Sequence, residues 1–143
     1  MTDVGLILHK LSRLKASIAL IHERRPPQRE VLATDPLLRD AIALALLVAV
    51  QEAIDVAYHI AADEGWGVPD SYAAAFELLA SRKVFGQDLA TRLSAVARVR
   101  NRIAHGYSSV DHARLWDELP SGLDVLEAFA SAVAGWLPPP DPM

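Results

Sequence analysis

The residues of this chain that are best suited to chemistry lie together in the octapeptide Arg-Asn-Arg-Ile-Ala-His-Gly-Tyr, residues 100–107. It lies within residues 89–110, which contain four arginines and one histidine but no aspartate or glutamate. Guanidinium groups suit phosphate because they donate two parallel hydrogen bonds. An unperturbed histidine side chain has a pKa of roughly 6.5, so it exchanges protons near neutral pH. The octapeptide therefore predicts a phosphate-binding site with a proton-transfer group.

One reaction that arginine, asparagine and histidine side chains can promote is cleavage of RNA by its own 2′-hydroxyl. The reaction needs a base for the 2′ proton, an acid for the 5′ leaving oxygen, and cations for the charge of the phosphorane. Arg100 and His105 are five residues apart, so on an ideal helix they point about 140° away from each other. This segment also supplies only one histidine per chain. Two copies meeting at a symmetry axis would supply two histidines and two arginines, so the chemistry predicts a homodimer.

A second interpretation of the same residues is purely structural. Arginines at the end of an amphipathic helix often form a solvated face near the negative end of the helix dipole, and His105 would then cap the last carbonyls. Residues 4–22 also lack carboxylates while they carry two lysines and an arginine. A helix without carboxylates is therefore not by itself a sign of a functional site in this chain.

Other polar and aromatic residues are weaker candidates. His59 and Asp63, four apart on a predicted helix, would suit a metal ion, but no third ligand is evident. Asp55 precedes His59 by four residues and is predicted to pair with it in a structural polar contact. The three tryptophans fall near predicted helix ends, where they are expected to cover the core: Trp66, Trp116 and Trp136.

Composition excludes several classes of protein. The net charge of −4 argues against a protein that coats nucleic acid through bulk positive charge, so an RNA partner needs a local basic patch. The absence of cysteine excludes disulfides, thiolate zinc sites and a cysteine nucleophile. No signal-peptide pattern opens the chain, and the most apolar run, residues 41–50, is short of the ~20 residues that a membrane span requires. We expect a cytoplasmic protein without a membrane partner, a metal site or a cofactor.

The elements that must position the octapeptide are predicted to be helices. The first begins after a cap at Asp3, has apolar residues at spacings of three and four, and ends before the prolines at 26–27. A connection then leads to a second helix over residues 36–64. Its middle, residues 41–50, is apolar on every face, which predicts burial by its own bundle or by a second subunit.

Four further helices are predicted from caps and from helix-breaking residues. They cover residues 71–81, capped by Asp70 or Ser71; 86–106, which carry the octapeptide and end at Gly106; 111–120, between a cap at Asp111 and Pro120; and 122–136. The pattern predicts an all-α fold, an antiparallel helical bundle of about five helices. It forms one domain over residues 1–137, followed by a disordered proline-rich tail, 138–143.

The octapeptide resembles the motif of the HepT-like branch of HEPN-domain ribonuclease toxins. The matching residues are Arg100, then His105 after four intervening residues, and Tyr107 after one more, with Asn101 directly following the arginine. The flanking helices are similar too, and the resemblance covers roughly residues 40–137.

The resemblance implies an HEPN-like bundle that acts as a homodimer and as a metal-independent endoribonuclease toxin of a toxin-antitoxin system. Arg100 and His105 of both subunits would be the catalytic residues and would line a shared cleft. Asn101 would orient the arginine or the substrate, and we assign Arg102 to supporting charge in substrate binding. RNA, including tRNA, is the implied substrate.

The resemblance also implies a partner and a modification. Family members are encoded beside a small nucleotidyltransferase antitoxin of the MntA type, which transfers AMP to the tyrosine that matches Tyr107. The added negative charge and bulk at the mouth of a phosphate site would inhibit the enzyme. The alternative is a non-catalytic HEPN module that docks a nucleotidyltransferase partner, because related modules serve only as binding or scaffold domains.

Overall fold

The computed structural model of the protein describes residues 1–105 and 111–139. Six α-helices lie within these residues: α1 (Val4–Arg24), α2 (Glu30–Thr34), α3 (Pro36–Asp63), α4 (Tyr72–Ser81), α5 (Gln87–His105) and α6 (His112–Trp136). The all-α prediction is confirmed. The single turn α2 is an addition, since the sequence predicted only a connection there.

The helix α1 follows directly from its sequence pattern. The Asp3 carboxylate caps it by accepting a hydrogen bond from the backbone N–H of Leu6 at 3.1 Å. Its apolar residues at spacings of three and four are all buried: Ile7, Leu11, Leu14, Ile18 and Ile21. The helix ends just before the two prolines, as predicted.

The helices α1 and α3 pack antiparallel, with the start of one beside the end of the other. The Thr2 hydroxyl donates to the Glu64 carboxylate at 2.8 Å, and further along the pair Lys10 Nζ lies 3.6 Å from Asp55 Oδ2. The Asp35 carboxylate caps the N-terminus of α3 by accepting from the Leu38 N–H at 3.1 Å. The Thr2–Glu64 and Lys10–Asp55 contacts fix the register of α1 against α3.

The apolar middle of α3 is mostly covered by the other helices of its own bundle. Residues 42, 43, 45, 46, 49 and 50 are buried, whereas Leu44 is 48% exposed. Among the described residues, α3 is the one helix that is long and apolar enough to cross a membrane by composition. Its most apolar 18-residue window is 61% buried inside the bundle, so packing in the core accounts for that composition.

The turn after α3 and the start of α4 agree with the predicted boundaries. Gly65 and Gly67 have φ angles of 70° and 106°, a region that favours glycine. The Ser71 hydroxyl accepts from the Ala74 N–H at 3.0 Å, so Ser71 is the cap, and not Asp70. Beyond α4, the ring of Phe129 on α6 packs edge-on against two other phenylalanines of the core, Phe76 and Phe85.

The last helix corrects the sequence prediction. We predicted that Pro120 separates two helices, but α6 runs without a break from His112 to Trp136 with Pro120 inside it. A proline inside a helix costs about 3 kcal/mol because it lacks an N–H and crowds the preceding turn. Buried leucines on both sides of it, Leu115, Leu119, Leu123 and Leu126, each contribute about 1.5–3 kcal/mol. Packing of one continuous apolar face therefore outweighs the proline.

Replacing this proline tests whether α6 is one helix. Pro120→Ala restores the missing backbone hydrogen bond. It also makes the unfolded chain more flexible, which offsets part of this gain. We therefore expect the free energy of unfolding to rise by about 1–2 kcal/mol. Urea unfolding measures this difference. Pro139→Ala is the control, because Pro139 is exposed and outside the helices. An unchanged or lower stability of Pro120→Ala would argue for two helices.

Candidate active site

The candidate site residues lie on the last two turns of α5. This helix packs against α3, α4 and α6 through five buried side chains: Ala90, Leu93, Val96, Ala97 and Ile103. It remains α-helical through His105, so no distortion before that residue brings the candidates together. Gly106, the predicted end of the helix, and Tyr107, the predicted modification site, lie outside the described residues.

Arg100 points from α5 toward α3 and is held by two amide side chains. Its Nε donates to Gln51 Oε1 at 3.2 Å, and its Nη1 donates to Asn101 Oδ1 at 3.2 Å. A guanidinium carries five N–H donors. Within the described residues the remaining three make no hydrogen bond, so they can receive an anion.

An aromatic pair lies beside the guanidinium. The Arg100 Cζ atom is 5.8 Å from the centroid of the Tyr72 ring, within the range of a cation–π contact. The Tyr72 ring packs edge-on against Tyr58 at 6.4 Å. Burial raises the pKa of the Tyr58 phenol, and the neighbouring Tyr72 and Asp70 raise it further. Tyr58 therefore stays protonated near neutral pH and does not compete with His105 as a candidate base for proton transfer.

Gln51 connects Arg100 to a polar layer between α1 and α3. Its Nε2 donates to Asp55 Oδ1 at 2.9 Å, and Lys10 Nζ lies 3.6 Å from the other oxygen of that carboxylate. The prediction that Asp55 pairs with His59 is thus wrong: its partners are Gln51 and Lys10, while His59 is exposed. The role of Gln51 could not be predicted from the sequence, because no local pattern links a glutamine to an arginine 49 residues further along the chain.

His105 lies at the C-terminal end of α5 and is exposed. Asn101 lies one turn earlier on the same face, since the two residues are four apart. Arg100 lies about 140° around the helix from His105 and about 7.5 Å from it along the axis. One chain therefore presents the arginine inward and the histidine outward.

Arg102 faces a third direction and contacts α6. Its Nη2 donates to Glu118 Oε1 at 2.5 Å, and the same carboxylate oxygen accepts from Arg114 Nε at 2.9 Å. Its charge is therefore partly neutralised within the chain. Its role in substrate binding stays a prediction.

The remaining candidates have structural positions. Among residues 1–105 and 111–139, no group of three or more His, Asp or Glu side chains is placed to hold a metal ion, the pair His59 and Asp63 included. All three tryptophans pack, partly buried, against the core, as predicted. Two of them, Trp66 and Trp136, contact each other at 5.9 Å between ring centroids.

Fold and site together define an all-α bundle that carries an arginine and a histidine near the C-terminal end of one helix. A family model described as HepT-like, ribonuclease HepT-like, matches residues 14–133. Because the match spans most of the chain, the protein belongs to the HepT-like ribonuclease family, and the resemblance found in its sequence is confirmed.

Known proteins agree with this membership. The chain is 27% identical to the mRNA nuclease HepT of Shewanella oneidensis over 106 residues. This matched region covers 74% of this chain and 79% of that protein. A structure of tri-AMPylated Shewanella oneidensis HEPN toxin in complex with MNT antitoxin is similar with a TM-score of 0.82 and 25% identity, over 94% of this chain and 99% of that one. Bacillus subtilis YutE, a cytosolic protein of unknown function, shares the fold at a TM-score of 0.80 and 16% identity, over 95% of this chain and 91% of that one.

Proposed function

We propose that the protein is a metal-independent endoribonuclease toxin of a toxin-antitoxin system, with Arg100 and His105 as its catalytic residues. The observation that carries this proposal is the Arg100 guanidinium, which the amide oxygens of Gln51 and Asn101 hold in place and which has no carboxylate partner among residues 1–105 and 111–139. The related mRNA nuclease HepT supports RNA as the substrate class.

The proposed reaction is transesterification within the RNA. A neutral histidine removes the 2′ proton, the 2′ oxygen attacks phosphorus, and the bond from phosphorus to the 5′ oxygen breaks. A protonated histidine gives its proton to that 5′ oxygen, which leaves a 2′,3′-cyclic phosphate and a 5′-hydroxyl. Arg100 donates hydrogen bonds to the non-bridging oxygens, whose negative charge grows in the transition state. Asn101 holds the guanidinium for this contact.

The same chemistry requires two chains in our proposal. The reaction uses one histidine as base and another as acid, and Arg100 and His105 of one α5 diverge by about 140°. A two-fold axis near the end of α5 would bring two copies of each residue to one cleft. We therefore propose a homodimer in which both subunits contribute to one composite site.

Removing either catalytic residue tests the proposed activity. We expect His105→Ala to lower the RNA cleavage rate by about 10²–10⁴-fold, because a proton-transfer group is lost. Arg100→Ala is expected to lower it by about 10²–10³-fold, because a donor to the transition state is lost. Cleavage of a labelled RNA in the presence of EDTA measures both rates, and the wild type is expected to keep its activity in EDTA.

His9→Ala is the matched control, since His9 is exposed on α1. It should cleave like the wild type and should be equally toxic on expression in a naive host. A wild type that leaves RNA intact but binds the nucleotidyltransferase would refute the ribonuclease and support the non-catalytic module. Loss of cleavage in EDTA would refute metal independence alone.

Mixed dimers test whether the site is shared. One wild-type subunit and one His105→Ala subunit, isolated through two different tags, leave a shared cleft with only one histidine. We expect such a dimer to cleave RNA about 10²-fold or more slowly than the wild-type dimer, because either the acid or the base is missing. A rate near half that of the wild type would instead show two independent sites.

We also propose that a nucleotidyltransferase antitoxin of the MntA type inhibits the protein by AMPylation of Tyr107. The phenol oxygen would attack the α-phosphate of ATP, pyrophosphate would leave, and the phenol proton would pass to solvent. The related HEPN toxin is tri-AMPylated in its complex with an MNT antitoxin, which supports this regulation. The phosphodiester would add negative charge and bulk two residues after His105 in the sequence.

Peptide mass analysis after incubation with the cognate transferase and ATP tests the modification. We expect an AMP adduct on the peptide that contains Tyr107, together with loss of RNA cleavage. Tyr107→Phe should remain active and resist inhibition. An unmodified Tyr107, or full cleavage by the modified protein, would contradict the proposed regulation.

A further inference from the structure

Among the described residues, five arginine side chains lie close to carboxylates, whereas neutral groups hold the Arg100 side chain. In five cases a guanidinium nitrogen lies within 4 Å of a carboxylate oxygen: Arg13 with Glu52, Arg39 with Asp40, Arg92 with Asp88, and both Arg102 and Arg114 with Glu118. The two side-chain acceptors of Arg100 within the described residues are instead the amide oxygens of Gln51 and Asn101. Within residues 1–105 and 111–139, no carboxylate therefore cancels its positive charge through a direct ion pair.

The orientation of the Gln51 amide is fixed from both ends. Its oxygen accepts from Arg100 Nε at 3.2 Å, and its NH₂ group donates to Asp55 Oδ1 at 2.9 Å. The reversed amide would place its NH₂ group against the guanidinium and its oxygen against the carboxylate, so both interactions would become repulsive. Lys10, 3.6 Å from the second oxygen of Asp55, offsets the charge of that carboxylate.

We propose that Gln51 is a positioning residue for the RNA phosphate site: it holds the Arg100 guanidinium in place without neutralising it. This inference rests on the proposed function. A glutamate at this position would reach the same Nε but would pair with the guanidinium and compete with phosphate for its charge. The Gln51 amide on α3 thus fixes the position of the Arg100 side chain on α5, and it leaves the charge of the guanidinium available to the substrate.

Binding of a non-cleavable RNA separates this role from catalysis. The probe is a fluorescent RNA oligonucleotide with 2′-O-methyl groups, whose blocked 2′ oxygens cannot attack phosphorus. Its dissociation constant is measured by fluorescence anisotropy over a series of salt concentrations for the purified full-length protein. The slope of log affinity against log salt reports how many phosphates the protein neutralises, at about 0.7 for each phosphate of a single-stranded nucleic acid.

We expect Gln51→Glu to weaken binding about tenfold to a hundredfold, as for loss of a charge-assisted hydrogen bond. The salt slope should become shallower by about 0.7 for each phosphate that the protein no longer neutralises. Arg100→Gln, which removes the charge itself, should give the same change in slope. A merely structural role of Gln51 would leave the slope of the folded variant unchanged.

Three further variants keep the result interpretable. Asp55→Asn keeps an acceptor for the Gln51 amide and should retain the wild-type slope. Gln51→Glu alone places two carboxylates side by side and should lower the thermal unfolding midpoint. Combining it with Asp55→Asn removes this repulsion, so the midpoint should return toward that of the wild type while the salt slope stays shallow. Gln87→Glu adds the same charge about 20 Å away at the start of α5 and should bind like the wild type.

The outcomes distinguish this inference from the proposed function. A wild-type salt slope in Arg100→Gln, or no RNA binding by the wild type, would overturn the phosphate role of Arg100 and the inference with it. A shallow slope in Arg100→Gln together with a wild-type slope in folded Gln51→Glu would overturn the role of Gln51 alone.

Discussion

The structure around the candidate site depends on one constraint, the accommodation of a guanidinium on the inward side of a packed helix. Arginine stays charged at any physiological pH, and a charge taken out of water needs hydrogen bonds in compensation. Gln51 on α3 and Asn101 on α5 supply them, while the Tyr72 ring at the start of α4 lies beside the guanidinium. Three helices therefore have to keep a fixed relation to one another for Arg100 to be tolerated where it is.

The inward direction of Arg100 is one reason why we propose a site that two chains share. A regular α5 that points Arg100 toward α3 necessarily points His105 outward, about 140° away. The helix could bring them together only by distorting, and it is α-helical through His105. A regular helix at this position is thus poorly suited to hold both residues in one site, and its exposed histidine is compatible with the shared site of two chains that we propose.

Much of the fold could be predicted from the sequence, because caps and apolar spacing act locally. Asp3 and Asp111 cap helices at the positions that the sequence predicts, and Ser71 is one of the two caps predicted for α4. The prediction at Pro120 is wrong because the local cost of the proline is opposed by burial of leucines that only tertiary packing reveals. In the site, residue types indicated Arg100 and His105, but not the direction of Arg100 or its hydrogen bond with Gln51, since no local pattern links α3 to α5.

The arrangement of charges is also compatible with the RNA substrate that we propose for this acidic protein. With a net charge of −4, the chain repels RNA at long range, so attraction has to come from charges that carboxylates do not cancel. Arg102 and Arg114 share one carboxylate, Glu118, which cancels only one of their two positive charges. Amide oxygens hold the Arg100 guanidinium, and among the described residues no carboxylate pairs with it, so its positive charge is one of those available to an anion. A phosphate is then favoured beside Arg100, where we propose that RNA binds, against the net negative charge of the whole chain.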